Sequence, residues 1–90
     1  MGKAAVDPAE LRRFAADLNR FNHELEGLLA GLNARLRGLA QSWHDQEHRK
    51  FNDQFEQTVK VLGGFLENSH LHVTFLAKKA ALVEEYLKQR

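Results

Sequence analysis

The chain has 90 residues, with 13 basic and 12 acidic side chains, a formal net charge of +1 and no cysteine. The lack of cysteine excludes disulfides and thiolate metal sites, and the interspersed charges form no basic stripe of the kind that binds nucleic acid. No apolar run approaches the roughly 20 residues that cross a bilayer, and residues 1–5 contain no apolar segment of a secretory leader.

The first predicted element is a helix over about 8–40. Asp7 can cap its start, Pro8 suits the first helical position, and Glu10 stands where a capping box has its acid. Apolar residues then recur at alternating steps of three and four, which predicts one heptad seam. The predicted seam residues are Leu11, Phe14, Leu18, Phe21, Leu25, Leu28 and Leu32, followed after a four-residue step by Leu36, Leu39 and Trp43.

A turn at about 41–45 and a second helix over about 46–88 follow. Ser42 and Asp45 are both suitable N-caps, and no proline interrupts the later segment. At about 1.5 Å per residue, the second helix would be about 65 Å long and the first about 50 Å. We therefore expect the second helix to extend beyond the first by several turns. Its predicted seam comprises His48, Phe51, Phe55, Thr58 or Val59, Leu62, Leu66, Ser69, Val73, Leu76, Ala80, Val83 and Leu87.

The two helices have more apolar surface than a lone hairpin covers. A second ridge runs beside the seam of helix 2, and a stripe of small residues on helix 1 suggests close approach of another helix, unless that stripe is simply solvated. We therefore predict an all-α antiparallel hairpin that dimerises into a four-helix bundle. The second ridge comprises Val61, Phe65, His72, Phe75, Leu82 and Tyr86; the predicted packing residues are Gly27, Gly31, Ala34, Gly38, Phe51, Phe55, Phe65 and Phe75.

The segment 41–55 carries a resemblance to a known family. With Ser42 and Trp43 at the turn and Phe51 and Phe55 after it, the chain resembles the Trp-Xaa-Gly (WXG) proteins, small helical hairpins exported by type VII (ESX) secretion systems. Two features differ from the family pattern. Asp45 stands where the family has glycine, and the fourth residue after Tyr86 is Arg90 instead of the acid of the C-terminal export signal.

The resemblance implies a secretion substrate, partner or chaperone that pairs with itself or a paralogous hairpin. It also implies synthesis in the bacterial cytoplasm, export without a cleaved leader, and contact with a secretion ATPase or a larger helical effector. Trp43, His44 and Asp45 would form a recognition turn and Tyr86 a remnant export signal, although Trp43 also fits as a plug of the bundle end. The alternative is a resident cytoplasmic adaptor that holds another helical protein.

Enzymatic and metal-binding functions have weak candidates in this sequence. His44 and His48 are four residues apart, with Asp45 and Glu47 nearby, but His44 falls in the predicted turn. The carboxylates are scattered on charged faces, and no glycine-rich phosphate loop is present. We therefore expect no catalytic site, no metal and no cofactor, and neither nucleic-acid binding nor insertion into a membrane.

Overall fold

The computed structural model describes residues 6–89, which form two long helices, α1 (Pro8–Leu39) and α2 (Gln46–Lys88), with no strand in this range. The helices lie antiparallel in an extended rod that measures 68 × 17 × 13 Å. The predicted all-α hairpin is confirmed, while its dimerisation remains a prediction. The predictions on residues 1–5 and on Arg90 lie outside the described range.

Both helices begin at an aspartate whose carboxylate caps them. Asp7 accepts a hydrogen bond from the backbone N–H of Ala9 at 2.9 Å, and Asp45 accepts one from that of His48 at 3.1 Å. Each bond satisfies one of the amide groups that a helix N-terminus leaves without a partner. Of the two candidate caps in the turn, Asp45 is therefore the one used. Ser42 instead donates its hydroxyl to the Leu39 carbonyl at 3.5 Å.

The helices meet along a line of buried and half-buried residues, which we name the hairpin seam. Along α2 it agrees with the predicted seam through the middle and the C-terminal half of the helix. Along α1 it follows alternating steps of four and three from Leu11 to Leu29, which is the spacing of a heptad stripe, and it continues at Leu36. The seam comprises Leu11, Ala15, Leu18, Asn22, Leu25, Leu29 and Leu36 of α1, and Phe55, Val59, Leu62, Leu66, Ser69, Val73, Leu76, Ala80 and Val83 of α2.

The seam predicted for helix 1 is wrong in half of its residues. Five of the ten predicted residues are 43–68% exposed and lie beside the hairpin seam, not in it: Phe14, Phe21, Leu28, Leu32 and Leu39. Alternating steps of three and four describe two adjacent ridges equally well, and only the neighbouring helix decides which ridge is covered. Here the ridge that includes Ala15 faces α2.

The expected overhang of several turns is also wrong. Although α2 has 43 residues and α1 has 32, Arg12 near the start of α1 bonds to Glu84, which is four residues from the end of α2. The open ends of the helices therefore lie nearly level. The extra length of α2 is accommodated at the other end, where its first turns pack against Trp43.

Candidate interaction surface

One side of the hairpin exposes large apolar side chains from both helices, and we name it the apolar face. Several of these residues come three positions after a seam residue, as Phe14 does after Leu11 and His72 does after Ser69. Since a helix turns about 100° per residue, such a step leads to the same side of the seam on both antiparallel helices. The exposure of the ridge that we predicted beside the seam of helix 2 is confirmed by the structure. The apolar face comprises Phe14, Phe21, Leu28 and Leu32 of α1, and Val61, Phe65, His72, Phe75, Leu82 and Tyr86 of α2.

Two open grooves interrupt the apolar face. One, of about 370 Å³, is lined by Phe14, Leu18, Phe65, Ser69, His72, Phe75 and Leu76. The other, of about 280 Å³ and nearer the turn, is lined by Leu32, Arg35, Leu36, Leu39, Phe51 and Phe55. Between them the rings of Phe21 and Phe65 meet edge to face, with their centroids 6.2 Å apart. Grooves of this shape accept side chains of another helix.

The opposite side of the seam is polar, and we name it the polar flank. Here both nitrogens of the Arg12 guanidinium fork donate to the Glu84 carboxylate at 2.8 Å, and the imidazole of His70 donates to Glu26 at 3.0 Å. Arg12 and Glu26 each follow a seam residue directly, so helical geometry places them away from the apolar face. The two flanks of the hairpin therefore differ in chemistry.

The Arg12–Glu84 pair changes the acidity of both groups. The hydrogen bonds from Arg12 hold the pKa of Glu84 below its ordinary value, and the same bonds raise the pKa of Arg12. Both side chains remain accessible to water, at 48% and 42% exposure. Solvent and salt therefore screen the pair, which links the open ends of the helices without contributing much stability.

The predicted recognition turn contains a cluster of aromatic rings. The half-buried Trp43 ring lies 5.0 Å from the His48 ring and 6.1 Å from the Phe51 ring, centroid to centroid. Phe51 stacks in turn on Phe55 at 5.8 Å. Trp43 therefore packs on the start of α2 while part of its ring stays accessible, which is compatible with both interpretations of this residue.

The two histidines near the turn contact protein groups and are not arranged as the metal ligands considered above. The His44 ring nitrogen donates to the Gln41 carbonyl at 2.9 Å, and the His48 ring packs against Trp43. Across residues 6–89, no group of three or more histidine, aspartate and glutamate side chains could hold a metal ion. Neither helix in that range has an apolar stretch long enough to span a membrane.

The small-residue stripe of α1 faces away from α2. A Cβ atom built on Gly27, Gly31 or Gly38 meets nothing within 4 Å, and Ala34 is exposed. Inside the hairpin, therefore, no second helix approaches this stripe. Close approach by a partner molecule remains a prediction.

Sequence reasoning missed the polar contacts between the helices. It left Asn22 out of the α1 seam, yet Asn22 is buried and accepts a hydrogen bond from Ser69 at 2.7 Å. It also did not predict the bond between Arg12 and Glu84, because the two residues are 72 positions apart in the sequence. The signal for Asn22 was present in the sequence, since Asn22 occupies a heptad position between Leu18 and Leu25.

A helical hairpin with one apolar side defines a class of protein, the helical interaction module. Within that class, the family model described as "Proteins of 100 residues with WXG" (WXG100) matches residues 3–86. The chain therefore belongs to the WXG100 family. No curated protein and no solved structure matches the chain at a significant level.

Family membership defines the general role. WXG100 proteins are small, non-enzymatic helical proteins associated with type VII secretion, and they typically pair with other helical proteins. The resemblance found from the segment 41–55 is confirmed by this match. Asp45, in place of the family's glycine, caps α2 here, so the turn tolerates the replacement for a physical reason.

Proposed function

We propose that the chain acts in type VII-like secretion as a hairpin that pairs with a second copy, or with a sister hairpin, through the apolar face. As substrate, partner or chaperone it would present the Trp43 turn to the secretion machinery. The observation that carries this proposal is the exposure of large side chains such as Leu28 and Phe75, at 68% and 65%.

The physical argument concerns the cost of leaving this surface in water. Burying a Phe or Leu side chain contributes about 1.5–3 kcal/mol, and ten residues of this face are available. A monomer rarely exposes so long an apolar strip. A second hairpin of the same shape would insert its own side chains into the two grooves, which gives a four-helix bundle.

The test is the molar mass of the protein in solution. We expect wild type at micromolar concentration to scatter light as a species of twice 10.3 kDa. Phe75→Glu should raise the dissociation constant at least about tenfold, because association would bury an unpaired carboxylate. Ala81→Glu is the matched control, since Ala81 is exposed and lies about a third of a turn round α2 from Phe75.

Two results would count against this proposal. A wild-type protein of 10.3 kDa at all concentrations would remove pairing with a second copy and leave only a sister hairpin as the partner. An equal loss of association in both glutamate variants would show that charge, and not the apolar face, is responsible.

The adaptor function remains the second candidate, and one observation favours it. Arg90 stands four residues after Tyr86, where the export signal of the family has an acid. Tyr86 itself is half-exposed on the apolar face, so a partner hairpin could cover it. Export of an epitope-tagged chain from a strain with an active type VII system, and its loss when the secretion ATPase is deleted, would favour the first function; retention in both strains would favour the adaptor.

A further inference from the structure

The hairpin contains one buried polar contact, in the middle of an otherwise apolar seam within residues 6–89. Asn22 is 0% exposed and Ser69 is 2% exposed. The Ser69 hydroxyl donates to Asn22 Oδ1 at 2.7 Å, while the Asn22 amide nitrogen, also buried, has no partner in the described part of the chain. A leucine at position 22 would leave no buried amide group without a hydrogen bond. The free energy of folding therefore does not explain why position 22 is an asparagine.

The surrounding sequence offers competing alignments of the two helices. Because the seam repeats every seven residues, sliding α2 by one heptad along α1 still sets apolar residues against apolar residues. Such a slip places Asn22 opposite Leu62 or Leu76 in place of Ser69. Its amide would then be buried with no hydrogen bond at all. The observed alignment is the one in which the polar side chains meet.

We propose that the Asn22–Ser69 pair is the specificity-determining contact of the hairpin, which sets the register of α1 on α2. The register decides which residues lie side by side on the apolar face, such as Phe21 against Phe65 and Phe14 across the groove from Phe75. The pair therefore assembles the surface that a partner recognises. This last step rests on the proposed pairing function, whereas the register itself does not.

The polar flank is consistent with this role but contributes less. Arg12–Glu84 and Glu26–His70 also form only in this register. Their side chains are exposed, however, so water can replace either partner at little cost. Water cannot reach Asn22 and Ser69.

The test replaces both polar groups with apolar ones, in Asn22→Leu/Ser69→Ala. We expect the melting temperature to stay the same or rise, while the amide NMR spectrum changes from one peak per residue to several, or to broadened peaks along α1. The single associated species seen by light scattering should become a mixture. Asn68→Ala, at an exposed neighbouring position, is the control and should keep one peak per residue.

A swapped pair gives the rescue experiment. Asn22→Ser/Ser69→Asn keeps one hydroxyl and one amide in the seam and should restore one peak per residue. Failure of this rescue would overturn the proposal. A single set of amide peaks for Asn22→Leu/Ser69→Ala would also overturn it, because the short turn alone would then set the register. Unfolding of that variant would overturn it as well, because the pair would then supply stability.

The same measurements separate the two proposals. If wild type is monomeric, pairing with a second copy fails, yet the number of amide peaks in the variants still decides the register. If wild type dimerises and the apolar variant keeps one set of peaks, the register proposal fails alone.

Discussion

On α1, two positions of the ridge that faces α2 hold a small or polar residue, while large apolar residues stay exposed beside that ridge. The inner ridge includes Ala15 and Asn22, both buried, while the outer ridge beside it includes Phe14, Phe21 and Leu28. The other seam residues of α1 are leucines, so the seam is thin only at these two positions. The hairpin therefore closes on a thin seam and leaves these larger side chains exposed, where the proposed partner would cover them.

The sharpest test of this difference compares two leucines. Leu66→Ala in the seam should lower the free energy of unfolding by about 2–3 kcal/mol, because it removes buried methyl groups and leaves a cavity. Leu28→Ala on the outer ridge should cost less than about 0.5 kcal/mol in dilute solution, where the side chain is in water. Chemical denaturation of both variants measures the two values.

The protein concentration sharpens that comparison further. If a partner covers Leu28, the cost of Leu28→Ala should grow with concentration, because association stabilises the folded state by mass action. Equal costs for both leucines in dilute solution would contradict the assignment of inner and outer ridges.

Trp43 lies where the seam ends, and its removal should have the next largest effect. Trp43→Ala should cost about 1–2 kcal/mol through its lost contacts with the rings of His48 and Phe51. Far-UV circular dichroism should show nearly unchanged helicity, while binding to a partner should weaken. Lys50→Ala, at an exposed position near the start of α2, is the control. Collapse of the fold in Trp43→Ala would instead make Trp43 a core residue.

The glycines test whether the back of α1 is a second covered surface. Gly63→Ala should stabilise the protein by about 0.5–1 kcal/mol, because alanine favours a helix and a Cβ there meets nothing within 4 Å. Gly31→Ala should stabilise the hairpin equally. If a partner helix approaches Gly31 closely, however, this variant alone should show weaker association by light scattering, and unchanged association would favour a solvated stripe.

Removal of the Arg12–Glu84 pair on the polar flank should have the smallest effect on the melting temperature, and this effect should depend on pH. Because Arg12 lowers the pKa of Glu84 in the folded state, the pair adds stability above the ordinary pKa of 4.5, and this stability is lost as the pH falls through the lowered value. The difference in melting temperature between wild type and Glu84→Gln should therefore be small at neutral pH and disappear in acid. Glu85→Gln should show no such trend, and a difference that grew in acid would contradict the direction of the shift.

Local signals in the sequence determined the two helices and their limits. The carboxylates of Asp7 and Asp45 cap the helices that begin next to them, and a cap acts within three residues. The turn with Trp43 and the nearby phenylalanines also indicates the family. These features depend only on neighbours in the chain, so the order of the residues is sufficient to find them.

Only the tertiary structure decided which ridge of α1 faces α2 and where the helices align. Ser69 is 47 residues from Asn22, and Glu84 is 72 residues from Arg12. A heptad pattern is compatible with several rotations and slips of one helix on the other. The choice among them depends on contacts between distant side chains, which periodicity along one helix does not contain.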